Sequence, residues 1–428
     1  MTPRAATGPA RFERLLPGLL FAFCLALYLL GGARLAGTPM FQRDNVFFRS
    51  DTQRVFVDLT GGRAEDHRRT STHPVFVLLH NPLGQGLARI LGASGAEPRA
   101  AREGAALLLT ATGGALAAAL AFLLLRAIGV GLFRAALFTA ILGASSAHWA
   151  FASIPETWIF SALALTWATL VALRPGAPEW RFLLPAVYAI AVVTTNLVPV
   201  AILALLRHAQ DGARSPAEVL LRAARSTALA LGATLALALV QQAVYPTTTL
   251  FFLPSSVTKE TKWVKWSHWL ERPATTVKIL VRHLALDNVA APEATNQPHD
   301  GLPMASIEEA GRAQYRSRLG VLAAWGAVLA VAARGVLRRE TFRPPVFAAL
   351  AILSFDFAFH SFFGNDRFLY SCGWTVFTVV AVAAAFEAGA PREGRLALAA
   401  TALLALFLAL QRTTNWRFLG ELAAAVGG

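Results

Sequence analysis

Long apolar runs separated by short, arginine-rich polar breaks set the pattern of this chain. A helix needs about 17–25 residues to cross a bilayer. Runs at 15–33, 104–125 and 135–151, and from the SIPET turn to Leu173, approach that length. So do 226–244, 319–333, 345–362, 369–386 and 396–410. They are continuous in Leu, Ala and Val, unlike the alternating segments of a membrane barrel. The stretch 181–210 is interrupted at Thr194–Thr195–Asn196. Two half-length spans there keep the next basic loop, with Arg207, Arg214, Arg222 and Arg225, on the inner side, as the positive-inside rule prefers. A polar break at membrane depth is acceptable where protein or a water-filled cavity lines it. The pattern predicts an all-α polytopic membrane protein with about eleven transmembrane helices in one transmembrane domain, 1–428. Arg4, Arg11 and Arg14 ahead of the first run predict an uncleaved anchor with a cytoplasmic N-terminus. After the last span, residues 411–428 read as an outer tail.

Two polar segments, 34–103 and 245–316, are too hydrophilic to span, and with the SIPET and FFGNDRF turns they fall on one side. The expectation is that they cap an active site on that outer face. Residues 50–59 and 74–90 have mixed faces and read as short helices lying in the membrane interface.

Composition agrees with a membrane protein. The chain is 55% hydrophobic and only 15% charged, against about 25% charged in a soluble domain. The net charge of +14 sits mostly on loop arginines, which set orientation and meet anionic lipid. No groove-reading motif accompanies it, so nucleic acid is not an expected partner. Cys24 and Cys372 lie in separate spans without ligand spacing.

Candidate chemistry lies in the polar segments. The first carries Asp44, Asp51 and Asp58, and in a helix starting near Ser50 the last two share a face. A positioned, partly desolvated carboxylate at the membrane edge suits a general base. Solvated loop acids, or an Asp51–Arg54 ion pair, fit the same residues. Glu156, after Pro155, suits a helix start, where negative charge meets the dipole. It equally suits a second carboxylate, near His148, that binds a hydroxyl or a metal. His73-Pro74 and His80-Asn81-Pro82 lack the spacing of a helical metal pair. All four lysines, Lys259, Lys262, Lys265 and Lys278, fall in the long segment, among Trp263, Trp266 and Trp269. That is the composition of an interfacial helix, either gripping a lipid phosphate or simply anchoring. Arg367, with Tyr370 close by, suits a cation facing a phosphate leaving group, or a capping turn paired with Asp366. Asp356 and His360 lie inside a span, where ionisable groups are functional candidates.

Taken together, Arg49-Ser50-Asp51-Thr52-Gln53-Arg54 after the first span, His73-Pro74, Pro155-Glu156 and Arg367-Phe368-Leu369-Tyr370 resemble the GT-C fold glycosyltransferases. These are polytopic enzymes that take sugars from polyprenyl-phosphate carriers, and include protein O-mannosyltransferases and the lipid A aminoarabinose transferase. The resemblance covers most of the chain in layout. In that family the first-loop Asp is the base, which maps onto Asp51. The family's acidic pair is Asp51-Thr52 here, so Asp44 and Asp58 stay open as alternatives. The resemblance implies an inverting transferase on the periplasmic face of a bacterial inner membrane. It would move sugar from a polyprenyl-phosphate donor to a hydroxyl of a glycan, lipid or protein. Asp51 and Glu156 would be catalytic. Asp44, Asp58, His73, His148, Lys262, Lys265, Arg367 and Tyr370 would meet substrate. A divalent cation, Mg or Mn, is left open. The rival reading is a lipid or solute transporter, for which the broken helix at Thr194–Asn196 speaks.

Overall fold

The computed structural model describes residues 9–67, 69–174, 176–212, 215–337, 343–391 and 393–427. Arg4, Arg214, Arg338, Arg339 and the side chains of Arg11, Lys259 and Trp269 lie outside the described residues. Among those described, the chain is helical almost throughout, with one two-residue antiparallel pair, Thr295–Asn296 against Ala305–Ser306. Among the described residues, six helices are long and apolar enough to cross a membrane: Glu13–Leu35, Pro98–Ala127, Pro216–Val244, Arg312–Val336, Arg367–Gly389 and Gly394–Ala425. The pair Leu132–Gly143 and Ser146–Ala152 makes a seventh if counted as one span. The remaining expected spans are shorter helices: Trp158–Ala172, Pro344–His360, Glu179–Val192 and Leu197–Gln210.

Two expectations need correcting. The run 135–151 is not one straight helix but bends by 56° after Gly143. Ser145 causes the restart, its hydroxyl accepting the His148 N–H at 3.2 Å as a helix cap. The last span does not end near Leu410 with a separate tail after it, because one helix runs unbroken from Gly394 to Ala425. Gln411 and Asn415 are buried. Gln411 donates to the carbonyls of Ile141 and Val289, and Asn415 to those of Ala144 and Val289. Glu421 pairs with Arg318 at 2.6 Å.

The Thr194–Asn196 break turns the chain back on itself. Ser226 Oγ donates to Glu179 Oε1 at 2.9 Å, at the start of one arm, and contacts His208 Nε2 at 3.0 Å, near the end of the other. The arms therefore lie side by side. At 1.5 Å per residue each 14-residue arm is about 21 Å long, short of the ~30 Å hydrocarbon core. Asn196 seals the open turn, donating to Ala189 O at 2.9 Å and bonding Ser161. The tip meets the first polar segment, where Thr194 N–H donates to Thr72 O at 3.0 Å and Val75 N–H to Ala191 O at 2.9 Å.

The two polar segments interlock. Thr70 Oγ1 donates to Thr249 O, Ser71 Oγ to Glu260 Oε1, and Ala305 exchanges backbone bonds with Val46 and Phe48. Within the first, the short helices are Thr52–Thr60 and Phe76–Ala93, close to the expected 50–59 and 74–90.

Leu319–Val336 and Ser371–Gly389 approach closely through facing glycines. A Cβ on Gly335 would lie 1.7 Å from Ala385 O, and one on Gly389 2.1 Å from Val331 O. Gly335→Val is expected to cost at least the ~1–3 kcal/mol of an overpacked site. Gly326→Ala in the same helix, where a Cβ meets nothing within 4 Å, should be tolerated. Thermal unfolding of the two variants in detergent checks this.

Candidate functional site

The site grows from the start of the Thr52–Thr60 helix. Asp44 reaches over that helix end, its Oδ1 accepting the Arg54 N–H at 3.0 Å. Arg54 then sits between two carboxylates of its own helix, 3.2 Å from Asp51 and 2.5 Å from Asp58. Arg69 closes a second ion pair on Asp51. Both guanidiniums use Asp51 Oδ2. Oδ1 has no hydrogen-bond or ion-pair partner among the described residues. Burial disfavours the Asp51 anion, but Arg69 and Arg54 outweigh it and hold its pKa below the ordinary value. Asp51 is therefore ionised at neutral pH. Asp44 moves the other way, raised by burial and by the Asp51 charge.

Glu156 stands behind Asp51. It is 1% exposed, accepts the Thr157 N–H at 2.7 Å and hydroxyl at 2.9 Å, and takes the Asp51 N–H at 3.2 Å. It holds the Asp51 backbone and is not among the residues lining the cavity. Burial, then the Asp51 charge, pushes its pKa up to about 7.

His73 lies on the cavity wall with Nδ1 2.8 Å from Val192 O. A carbonyl can only accept, so the proton is on Nδ1 and Nε2 is left as an acceptor. Burial, then Arg54, presses its pKa down to about 3, so the ring is neutral.

These groups line a cavity of about 190 Å³ of water-accessible space. Its carboxylates are Asp44, Asp51, Glu260 and Asp366, and its cations Arg49 and Arg69. Trp158, Trp263 and Tyr370 supply aromatic walls, and Val193 and Thr195 bring the hairpin tip to it. Tyr370 stacks on His360 at 4.1 Å and meets the Trp158 ring edge-on at 4.9 Å. Gly364 leaves room for it: its φ is +89°, and a Cβ there would strike the Tyr370 ring at 2.5 Å. Among the described residues, four that line the cavity carry a buried polar atom without a hydrogen-bond partner: Thr72 Oγ1, Glu260 Oε2, Trp263 Nε1 and His360 Nδ1. A second, more open cavity of about 560 Å³ shares Asp44, Asp51, Arg69 and Trp263, and adds Gln53, Arg54 and Lys262. Asp51 is thus reached from both sides.

The expected site residues divide. Asp44, Asp51, His73 and Tyr370 meet at the first cavity, and Lys262 lines the second while lying 4.9 Å over Trp263. Asp58 is turned away, bonded to Arg54 and His67. Lys265 lines neither cavity, although its N–H donates to Phe362 O at 2.6 Å. His148 is fully buried elsewhere. Arg367 lines neither cavity, and its guanidinium is paired with Glu308 at 2.5 Å. Glu308 also holds His283 at 3.0 Å, and Asp287 holds the other ring nitrogen at 2.9 Å. Against the pull of burial, those two carboxylates lift the His283 pKa to about 9. This network anchors the turn that carries Asp366 and Tyr370. Sequence reasoning did not single out Arg69, Trp158 or Glu260, which come from separate segments and carry no local spacing signal.

Among the described residues, no group of three or more His, Cys, Asp or Glu side chains is arranged to hold a metal ion. The Asp51 carboxylate is paired with two arginines. Comparison with known protein families, curated proteins and solved structures finds no match.

The Glu156 shift has a defined sign. Between its ordinary value of 4.5 and about 7 the unfolded chain releases a proton that the folded chain keeps. Its contribution to stability is therefore full at low pH and falls as pH rises through that window. In Glu156→Gln, which does not titrate, the melting temperature should fall less between pH 5 and 7.5 than in wild type. Parallel profiles would show that Glu156 is not protonated in the fold.

Proposed function

We propose that this chain is an inverting, lipid-linked-sugar-dependent glycosyltransferase of GT-C type, with about eleven spans and its site on the periplasmic face of a bacterial inner membrane. The observation that carries the reading is Asp51: a carboxylate kept ionised by two arginines, one oxygen open, between an aromatic-walled cavity and a wider polar one. Aromatic faces pack the apolar faces of a sugar ring, and the carboxylates and unpartnered polar atoms bond its hydroxyls. The resemblance in layout points the same way.

In this reading the donor sugar occupies the first cavity and the acceptor hydroxyl comes from the second. Asp51 Oδ1 takes the acceptor proton as the acceptor oxygen bonds to the anomeric carbon. The bond from that carbon to the phosphate oxygen breaks, and its electron pair leaves with the lipid phosphate. His73 Nε2 accepts a hydrogen bond from a substrate hydroxyl, which orients it. Glu156 fixes the Asp51 backbone. Arg69, bound to Asp51 and facing both cavities, lies close to the charge that develops on the leaving group.

A second reading has one observation in its favour: the tip of the Glu179–Gln210 hairpin reaches the cavity, as re-entrant segments do in transporters. Substrate flux into sealed proteoliposomes, unaffected by Asp51→Asn, would favour it.

For the transferase, Asp51→Asn should lower turnover by about 10²–10⁴-fold while the protein still folds. The measurement is release of free polyprenyl phosphate from a panel of polyprenyl-phosphate sugars. Near wild-type release in folded Asp51→Asn would remove Asp51 as the base.

A further inference from the structure

The loop that leads into Asp51 is held in a backbone conformation that its residues do not favour. Asn45, Phe48 and Arg49 all have positive φ, at 58°, 53° and 59°. Ser50 N–H donates to Phe47 O at 2.7 Å, closing a four-residue turn around Phe48 and Arg49. Two central residues with positive φ give the type I′ pattern, which normally takes Gly, Asn or Asp. Arginine and phenylalanine there are strained.

Phe48 has a packing reason to be there. Its ring is buried against Phe368 at 4.7 Å, Phe151 at 5.8 Å and Phe418 at 6.2 Å. Backbone bonds of Val46 and Phe48 to Ala305 hold the turn in place. Arg49 has no such reason. It lines the first cavity, and its guanidinium has no hydrogen bond or ion pair among the described residues. The arginines around it are engaged: Arg54 and Arg69 with Asp51, Arg367 with Glu308, and Arg43 with Pro303 O. A strained backbone thus carries a guanidinium into the cavity and leaves it without a protein partner. Strain that buys no internal contact is what a ligand-binding position shows.

We propose that Arg49 is the phosphate-binding residue of this site, its guanidinium taking the oxygens of the lipid-linked phosphate as a paired donor. A planar guanidinium with two parallel N–H groups matches two oxygens of one phosphate. This rests on the transferase reading, and it assigns the phosphate contact to a residue of the first loop. Arg367 is spent on Glu308 and Lys265 lines neither cavity.

The test separates strain from binding. Glycine adopts positive φ without cost, so Arg49→Gly relieves the backbone as it removes the cation. Thermal unfolding of the full chain in detergent is followed with polyprenyl phosphate, with the matching polyprenol, and with inorganic phosphate. Wild type should be stabilised by polyprenyl phosphate and not by polyprenol. Arg49→Gly should unfold at or above the wild-type temperature without ligand, and bind polyprenyl phosphate at least about tenfold more weakly. Arg49→Lys, which keeps the charge and loses the fork, should fall between them. If inorganic phosphate alone gives the wild-type shift, and Arg49→Gly abolishes it, the assignment stands with a free phosphate as ligand. A wild-type response in Arg49→Gly overturns the assignment of Arg49 and leaves the transferase reading intact. Equal stabilisation of wild type by polyprenol and polyprenyl phosphate overturns the phosphate subsite. If no polyprenyl-phosphate sugar is turned over either, the transferase reading falls with it.

Discussion

The pairing of Arg54 with Asp51 and Asp58 is the interaction on which the site depends. A guanidinium 9% exposed must keep its carboxylates close, because an unpaired buried charge costs several kcal/mol. Asp51 is held at one end of the Thr52–Thr60 helix and Asp58 near the other, with Arg54 between them. His67 then secures Asp58, and Asn81 donates to the Asp58 and Gly61 carbonyls. The short helix is thereby fixed to Phe76–Ala93 and cannot rotate to carry Asp51 out of the cavity. Asp58, which sequence spacing offers as a second candidate base, is the support that keeps Asp51 in place.

A second set of charges performs the same service on the far wall. His283 between Asp287 and Glu308, with Arg282 on Asp287 and Arg367 on Glu308, is a chain of alternating sign. Ser306, beside it, holds Asp366 at 2.5 Å. Both walls are joined through Ala305, which bonds to Val46 and Phe48 on one side while its neighbour Ser306 bonds to Asp366 on the other. Cavity shape is thus set by segments far apart in sequence but linked by short, saturated polar contacts.

How much of this was legible in the sequence follows from the range of each signal. Apolar runs are local, so most helices were placed correctly, and the Thr194–Asn196 break was visible as polar residues inside a hydrophobic stretch. Asp51, which lines both cavities, stands out in the sequence because a carboxylate just after a first span is a local feature. Arg69 and Glu260 were not, because their importance lies in contacts with residues elsewhere in the chain. Arg367 and Asp58 were given cavity roles because their charge was visible and their buried partners were not. Ser145, a single capping hydroxyl, was enough to bend a run that hydropathy read as continuous.

The last helix places its Phe418 ring against Phe48 and Phe368 and its Glu421 on Arg318. Phe48 belongs to the loop before Asp51, and Phe368 to the turn beside Asp366. The wall of the cavity is therefore backed by residues made near the beginning and near the end of synthesis. The first loop's backbone partner, Ala305, and its aromatic backing, Phe368 and Phe418, are complete only when Phe418 has been translated and inserted. The wall of this cavity is set late in biogenesis, by a stretch of chain whose sequence reads as an apolar span and its tail.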